Sequence, residues 1–278
     1  MPELPEVETV RRGLAPRLVG MRVCAVVVRR NDLRYKLPPR FSQLVKECVF
    51  CALKRRGKYL LADMQNNKGE KTTMIVHLGM TGALFFSARK PVKAKHEHIG
   101  FLLPDGEYLV YRDPRRFGCI LLSDDAGNHP LIRAIGREPL AASFNGAFLH
   151  QQWRGKKTAV KSALMDGGIV AGIGNIYAAE ALFLAGICPT IRAGLLTLSQ
   201  CRQIAKAVKT ILRDALKAGG STIRDFVNSD GEAGHFQMQW RVYERGGMQC
   251  TRCPSRITAI RQNNRTTYYC PRCQPSLY

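Results

Sequence analysis

The sequence predicts an α+β chain built from more than one domain. Three observations lead there. A helix-like opening precedes short alternating apolar segments that run to about residue 123; the apolar period turns helical from about residue 143; and residues 241–278 are rich in cysteine and arginine. The 278 residues also exceed the roughly 100–200 of one ordinary domain.

Leu4, Val7, Val10, Leu14 and Leu18 recur at helical spacing. Pro2 and Pro5 suit a helix start, Glu3, Glu6 and Glu8 suit its positive end, and Gly20 stops it. Strands are expected at 21–30 and within 47–64, the latter as two strands or one bent hairpin around Arg56-Gly57. More follow at 72–78 and 83–86, flanking the turn Gly79-Met80-Thr81-Gly82, at 98–104 and 107–113, flanking Asp105-Gly106, and at 119–123. This spacing suggests a sandwich or a barrel-like β domain. Helices are expected from 143, then at 157–166, 175–186 and 199–219, with a glycine-punctuated turn at 169–174. The expected boundaries are a β domain with its leading helix over 1–135, a linker over 136–153 marked by the breakers Gly136 and Pro139, a helical domain over 154–240 and the cysteine module over 241–278.

Composition narrows the partners. Lys and Arg number 43 against 21 Asp and Glu, a formal net charge of +22, and the excess runs through both halves rather than sitting in a tail. Such a chain suits a polyanion, because its cations displace the counterions condensed on phosphates; nucleic acid is the expected partner. An apolar fraction of 45% excludes a mainly disordered state. No stretch reaches the roughly 18–20 apolar residues of a membrane span, so no membrane partner is expected. The opening places acids where a secretory leader would carry basic and then apolar residues, and a reducing, cytoplasmic location is the expectation.

Four of the ten cysteines form Cys250-Thr-Arg-Cys253 and Cys270-Pro-Arg-Cys273. Each pair sets two thiolates on one tight turn, and two such turns close a tetrahedron; one structural Zn²⁺ is expected. The span between them alternates like two strands with a polar tip at Gln262-Asn263-Asn264, which Arg261 and Arg265 bracket, placed to meet phosphates. Cys24, Cys48, Cys51, Cys119, Cys188 and Cys201 have no partner at ligand spacing and are expected as buried thiols.

Pro2 follows the initiator Met, whose removal would leave a proline secondary amine. An α-amino group has a pKa of about 7.7–8.0 against about 10.4 for lysine, so near neutrality it is richer in the nucleophilic form. Added to an aldehyde-like carbon, a secondary amine gives an iminium that stays cationic and acts as an electron sink. Glu3 and Glu6 are carboxyls placed for acid or base work. The same residues also fit a plain helix start.

The opening MPELPEVETVRRGL resembles the N-terminus of the bacterial formamidopyrimidine-DNA glycosylases. KRRGKYLL (54–61), HLGMTG (77–82), KHEHIGF (95–101), DPRRFG (113–118), KKTAVKSALMD (156–166), GIGNIYAAEALF (172–183) and the cysteine hairpin fall in that family's order, across essentially the whole chain. Leu4-Pro5 favours this branch over the Nei-like sister branch. The resemblance implies a helix followed by a two-sheet antiparallel β-sandwich, a helix-two-turns-helix domain and a zinc hairpin. It implies a monomeric enzyme of base excision repair acting on damaged double-stranded DNA, which excises oxidised purines and cuts the strand by β,δ-elimination. It casts Pro2 as the nucleophile, Glu3 as the acid at the opening sugar, Lys58 as an aid to base loss and elimination, and Arg265 as the arginine of δ-elimination and phosphate binding. His96, Lys156 and Asn175 become DNA contacts. Met80 and Phe117 become wedges that fill the hole left by an everted base, and Arg115 reads the orphaned partner. Residues 219–237 resemble the loop over the everted base, with Ser221, Arg224, Asp225 and Phe226 as its contacts. The chain departs from the pattern at Ser162, where Pro is frequent, at Glu244 and Pro254, where Gly is common, and at Arg137. Two other readings stay open here: a Nei-like preference for oxidised pyrimidines, and a non-catalytic zinc-containing DNA-binding protein.

Overall fold

The computed structural model describes residues 2–221 and 239–276. They fall into two compact units: 2–133 with 218–221, and 134–217 with 239–276.

The first unit opens with α1 (Leu4–Leu18), whose apolar positions Leu4, Val7, Val10, Leu14 and Leu18 are all buried, as their spacing predicts. Then come β1 (Ala25–Val28), the short α2 (Phe41–Val45), β2 (Val49–Arg56), β3 (Tyr59–Gln65), β4 (Lys71–His77), β5 (Ala83–Ser87), β6 (Glu97–Leu102), β7 (Tyr108–Arg112), β8 (Cys119–Ser123) and α3 (Pro130–Arg133). All pairings are antiparallel, and they make two four-stranded sheets, β1-β6-β7-β5 and β2-β3-β4-β8. Apolar side chains of both sheets and of α1 share one core, including Val10, Phe50, Leu60, Val76, Phe101 and Leu109. Each such burial is worth about 1.5–3 kcal/mol, and the arrangement is the expected sandwich.

Two details depart from the sequence reading. The segment 21–30 is not one strand. The Val23 N–H bonds the Cys48 carbonyl at 2.9 Å while the Cys24 N–H bonds Leu102 at 2.8 Å, so the chain passes from one sheet to the other and only Ala25–Val28 pairs with β6. Cys51 is exposed rather than buried, and Cys24 is half-buried. A bulge between Phe50 and Ala52 takes Cys51 out of the ladder, which alternation alone does not reveal.

The second unit holds α4 (Gly146–Trp153), α5 (Val160–Leu164), α6 (Asn175–Ala185), α7 (Leu198–Lys217), β9 (Thr258–Gln262) and β10 (Arg265–Tyr269). Within 136–153, set down above as a linker, Asn145 caps α4 by accepting the Phe148 N–H at 2.9 Å, and Phe148, Leu149 and Trp153 are buried. The β9-β10 hairpin turns at Asn263 and Asn264, both with positive φ (46° and 61°), the conformation that suits a two-residue hairpin with right-handed twist. Its base packs on α6: Val242, Cys250, Ile257 and Cys270 cluster with Ala179 and Phe183.

Candidate active site and metal centre

In the first unit, Pro2 is buried directly ahead of α1, and Glu3, 2% exposed, is the cap residue of that helix. Glu6 is fully buried and both its oxygens accept backbone donors, the Glu3 N–H at 2.8 Å and the Ser221 N–H at 2.8 Å. Glu6 thus ties the start of the chain to Ser221; with both oxygens so engaged it acts as a structural anchor. Arg224, Asp225 and Phe226 lie outside the described residues.

Lys58 sits in the turn between β2 and β3. Arg55 fixes that turn: its guanidinium donates to the Gly57 carbonyl at 2.9 Å and to the Glu8 carboxylate of α1 at 3.2 Å. Burial raises the Glu8 pKa, but hydrogen bonds from Arg11 and Arg12 and the charges of Arg11 and Arg55 outweigh it and hold the carboxyl below its ordinary value. The helix that begins behind Pro2 and the turn that carries Lys58 are therefore joined through a charged, largely shielded link.

Met80, Arg115 and Phe117 come together from two turns. Met80 is 38% exposed and Phe117 47% exposed, unusual for large apolar side chains, and the Arg115 guanidinium lies 4.7 Å from the centre of the Phe117 ring. Arg34, His77, Gly79, Met80 and Phe117 line a cleft of about 300 Å³. His77 escaped the sequence reading, although it stands in HLGMTG. Burial, with the nearby charges of Lys58 and Arg34, pushes its pKa down to about 4, so it is neutral at pH 7. Its Nδ1 accepts the Gly79 N–H at 2.9 Å, so the proton resides on Nε2, a donor. His96 is exposed in a left-handed conformation just before β6.

In the second unit, Asn175 opens α6, but its side chain is already engaged. Its Oδ1 accepts from Lys161 Nζ at 2.5 Å and its Nδ2 donates to the Thr266 carbonyl at 3.0 Å. Lys161, 2% exposed, also donates to Thr267 Oγ1 at 2.6 Å, which joins α5, α6 and the hairpin. Ser162, where Pro was expected from the resemblance, accepts a 2.8 Å bond from Asn263 at the hairpin tip. Arg265 is exposed beside that tip and, with Lys161, Ser162, Met165, Gln262 and Asn263, lines a second cleft of about 300 Å³. Lys156 is half-buried, its backbone paired with Trp153 and Gly194.

Glu180 is fully buried on α6 and accepts the N–H groups of Arg241, Val242 and Tyr243 at 2.9–3.0 Å, holding the turn that enters the cysteine module. Burial raises its pKa, and these donors pull it back. Sequence reasoning missed both Glu180 and Lys161, because their partners are 62 and 106 residues away.

The sulfurs of Cys250, Cys253, Cys270 and Cys273 lie within 4.8 Å of one another, with Cys250–Cys273 at 3.9 Å and Cys253–Cys270 at 3.5 Å. A tetrahedral ion with metal–sulfur bonds of about 2.3 Å requires sulfurs roughly 3.8 Å apart, so the set fits one. The thiols also divide. Cys253 is lowered to about 6, the Ser255 N–H and neighbouring thiols overcoming its burial, whereas burial and its neighbours raise Cys273 to about 12. Deprotonating all four at this spacing needs a cation between them.

The description "Formamidopyrimidine-DNA glycosylase N-terminal domain" matches residues 1–120, and "Formamidopyrimidine-DNA glycosylase H2TH domain" matches 135–227. The chain belongs to the formamidopyrimidine-DNA glycosylase family. The family's protein from Thiobacillus denitrificans is 46% identical over 274 residues, covering 99% of this chain and all of that one. Two solved structures of the Lactococcus lactis relative have TM-scores of 0.88 and 0.89 at 33% and 31% identity, each covering 99% of this chain and all of that one; one is bound to DNA containing an abasic site, the other to DNA containing an oxidised pyrimidine. No helix among the described residues is long and apolar enough to cross a membrane.

Proposed function

We propose that this chain is a bifunctional DNA glycosylase and abasic-site lyase that excises oxidised purines, 8-oxoguanine and formamidopyrimidines, from double-stranded DNA. The observation that carries the reading is the link from α1 through Glu8 and Arg55 to Gly57, which fixes the Lys58 turn to the helix that begins behind Pro2. With Met1 attached the Pro2 nitrogen is an amide, so its removal precedes the chemistry. The free amine attacks C1′ of the damaged nucleotide, the C1′–base bond breaks, and the base leaves with a proton. Glu3 protonates the ring oxygen as the sugar opens, leaving an iminium between Pro2 and C1′. That cation draws electrons from the C2′–H bond, and loss of the 3′-phosphate is β-elimination. Loss of the 5′-phosphate follows as δ-elimination, leaving a one-nucleotide gap. Lys58 assists base loss and the first elimination; Arg265 serves the second and holds phosphate.

The target base leaves the stack to be reached, and Met80 and Phe117 fill its place while Arg115 reads the orphaned base. His96, Lys156 and Asn175 hold the backbone, Asn175 through the amides at the start of its helix. Zn²⁺ is the ion for Cys250, Cys253, Cys270 and Cys273; with no open position it supplies rigidity to the hairpin that carries Arg265. The catalytic domain, the helix-two-turns-helix domain and the zinc finger then divide the chemistry from the grip on DNA.

A second reading has one observation behind it. The Lactococcus lactis relative has been solved on oxidised-pyrimidine DNA, which supports a substrate range that includes that class. Duplexes carrying 8-oxoguanine, a formamidopyrimidine or thymine glycol separate the two. The proposal expects the purine lesions to be excised faster; faster release of thymine glycol would reverse it.

A further inference from the structure

Asp113 is fully buried between β7 and β8, and it touches both turns that carry the wedges. Its Oδ1 accepts the Thr81 hydroxyl at 3.0 Å, one residue from Met80. Its Oδ2 accepts the Gly118 N–H at 2.8 Å, one residue from Phe117, and the Tyr111 hydroxyl at 3.4 Å. Thr81 Oγ1 in turn accepts the Arg115 N–H at 3.3 Å. The two turns also meet without side chains between them. A Cβ on Gly79, which has φ +65°, would lie 2.4 Å from the Gly118 nitrogen, and one on Gly118 would lie 2.0 Å from the Tyr111 hydroxyl and 2.3 Å from the His77 carbonyl. Two segments more than thirty residues apart in sequence are thereby held in one register, with one side chain binding both.

We propose that Asp113 is a positioning residue that sets the Met80, Arg115 and Phe117 group, and through it the enzyme's engagement of the strand opposite the lesion. This rests on the reading of those three as the side chains that enter the duplex. Asp113 itself is buried and meets no DNA; it acts through Thr81 and Gly118. The wedges must enter a stacked duplex, and a pre-set pair avoids ordering two exposed side chains during that step. A single strand with an abasic site has neither opposite base nor stack to penetrate, so it does not call on the wedges.

The test compares two substrates under single-turnover conditions: base excision from a lesion-containing duplex, and cleavage of a single strand with a preformed abasic site. Thr81→Val removes one link, Asp113→Ala removes all, and Asp113→Asn can keep both, its oxygen accepting from Gly118 and its amide donating to Thr81. The expected result is a loss of about tenfold or more on the duplex for Thr81→Val and Asp113→Ala, about what one buried hydrogen bond commands. Single-strand cleavage stays within about twofold, and Asp113→Asn recovers duplex activity. Should Asp113→Ala not fold, Thr81→Val decides. Equal losses on both substrates, or Thr81→Val at wild-type rate on the duplex, overturn the proposal. Phe117→Ala tests the reading beneath it: full duplex activity in that variant would remove the wedge itself, whatever Asp113 does.

Discussion

Replacing Glu180 tests how the cysteine module is held. Its carboxylate accepts three backbone N–H groups over 241–243, with Arg241 shared between both oxygens. In Glu180→Ala those donors lose their acceptor in a site that excludes water. Each buried unsatisfied donor costs about 1–3 kcal/mol; with partial relaxation the sum is about 3–5 kcal/mol. In Glu180→Gln the remaining oxygen still serves Val242 and Tyr243, while the new amide faces the Arg241 N–H, so the cost falls to about 1–2 kcal/mol. Because Val242 packs with Cys250, Ile257 and Cys270, the loss spreads to the four sulfurs. Urea unfolding followed by circular dichroism, paired with zinc release to a chromophoric chelator, reads both effects. Stability and metal retention should both fall in the order wild type, Gln, Ala. An Ala variant within about 1 kcal/mol of wild type that retains zinc normally would refute it.

The Glu8 carboxyl is held below its ordinary value in the fold. Its stabilisation is thus present above the free carboxyl's pKa of about 4.3 and is lost as pH falls through the lowered folded value. Glu8→Gln should lower stability at pH 7 by about 1–2 kcal/mol and flatten the acid limb of a pH-stability curve; an unchanged limb counts against the link. For His77, long-range ¹H–¹⁵N spectra should show the Nε2-protonated neutral ring with a titration near 4, whereas a midpoint near the ordinary 6.5 would contradict the burial argument. Glu244 occupies a left-handed conformation, φ +55°. Glu244→Gly should raise the thermal midpoint, relieving about 1 kcal/mol of backbone strain, and a lowered midpoint would show that its side chain outweighs that strain.

Elements whose pattern is local were legible in the sequence. α1 declares itself through five apolar positions on one face, and the choice between two strands and a bent hairpin within 47–64 resolves into β2 and β3 around Gly57, with φ +56°. The four cysteines were legible because ligand spacing is local to each turn. The glycine that the resemblance leads one to expect where this chain has Glu244 gains a cause, since that position has the positive φ that glycine tolerates. Buried polar links were not legible. Glu6 meets Ser221 across 215 residues, and Asp113 meets Thr81 across 32; nothing in either neighbourhood marks the partner. The exposed Cys51 escaped for a related reason, because a one-residue bulge changes which face a side chain takes while leaving composition untouched.

The claim on which the functional account stands is that the chain's own proline amine becomes bonded to the sugar. Borohydride reduction during reaction with a lesion-bearing duplex, followed by proteolysis and mass spectrometry, places that bond. One stable adduct is expected, on the peptide that begins at Pro2, and Pro2→Gly should weaken or reroute it. An adduct mapped to Lys58, or excision at full rate by protein whose Met1 is retained, would contradict the claim.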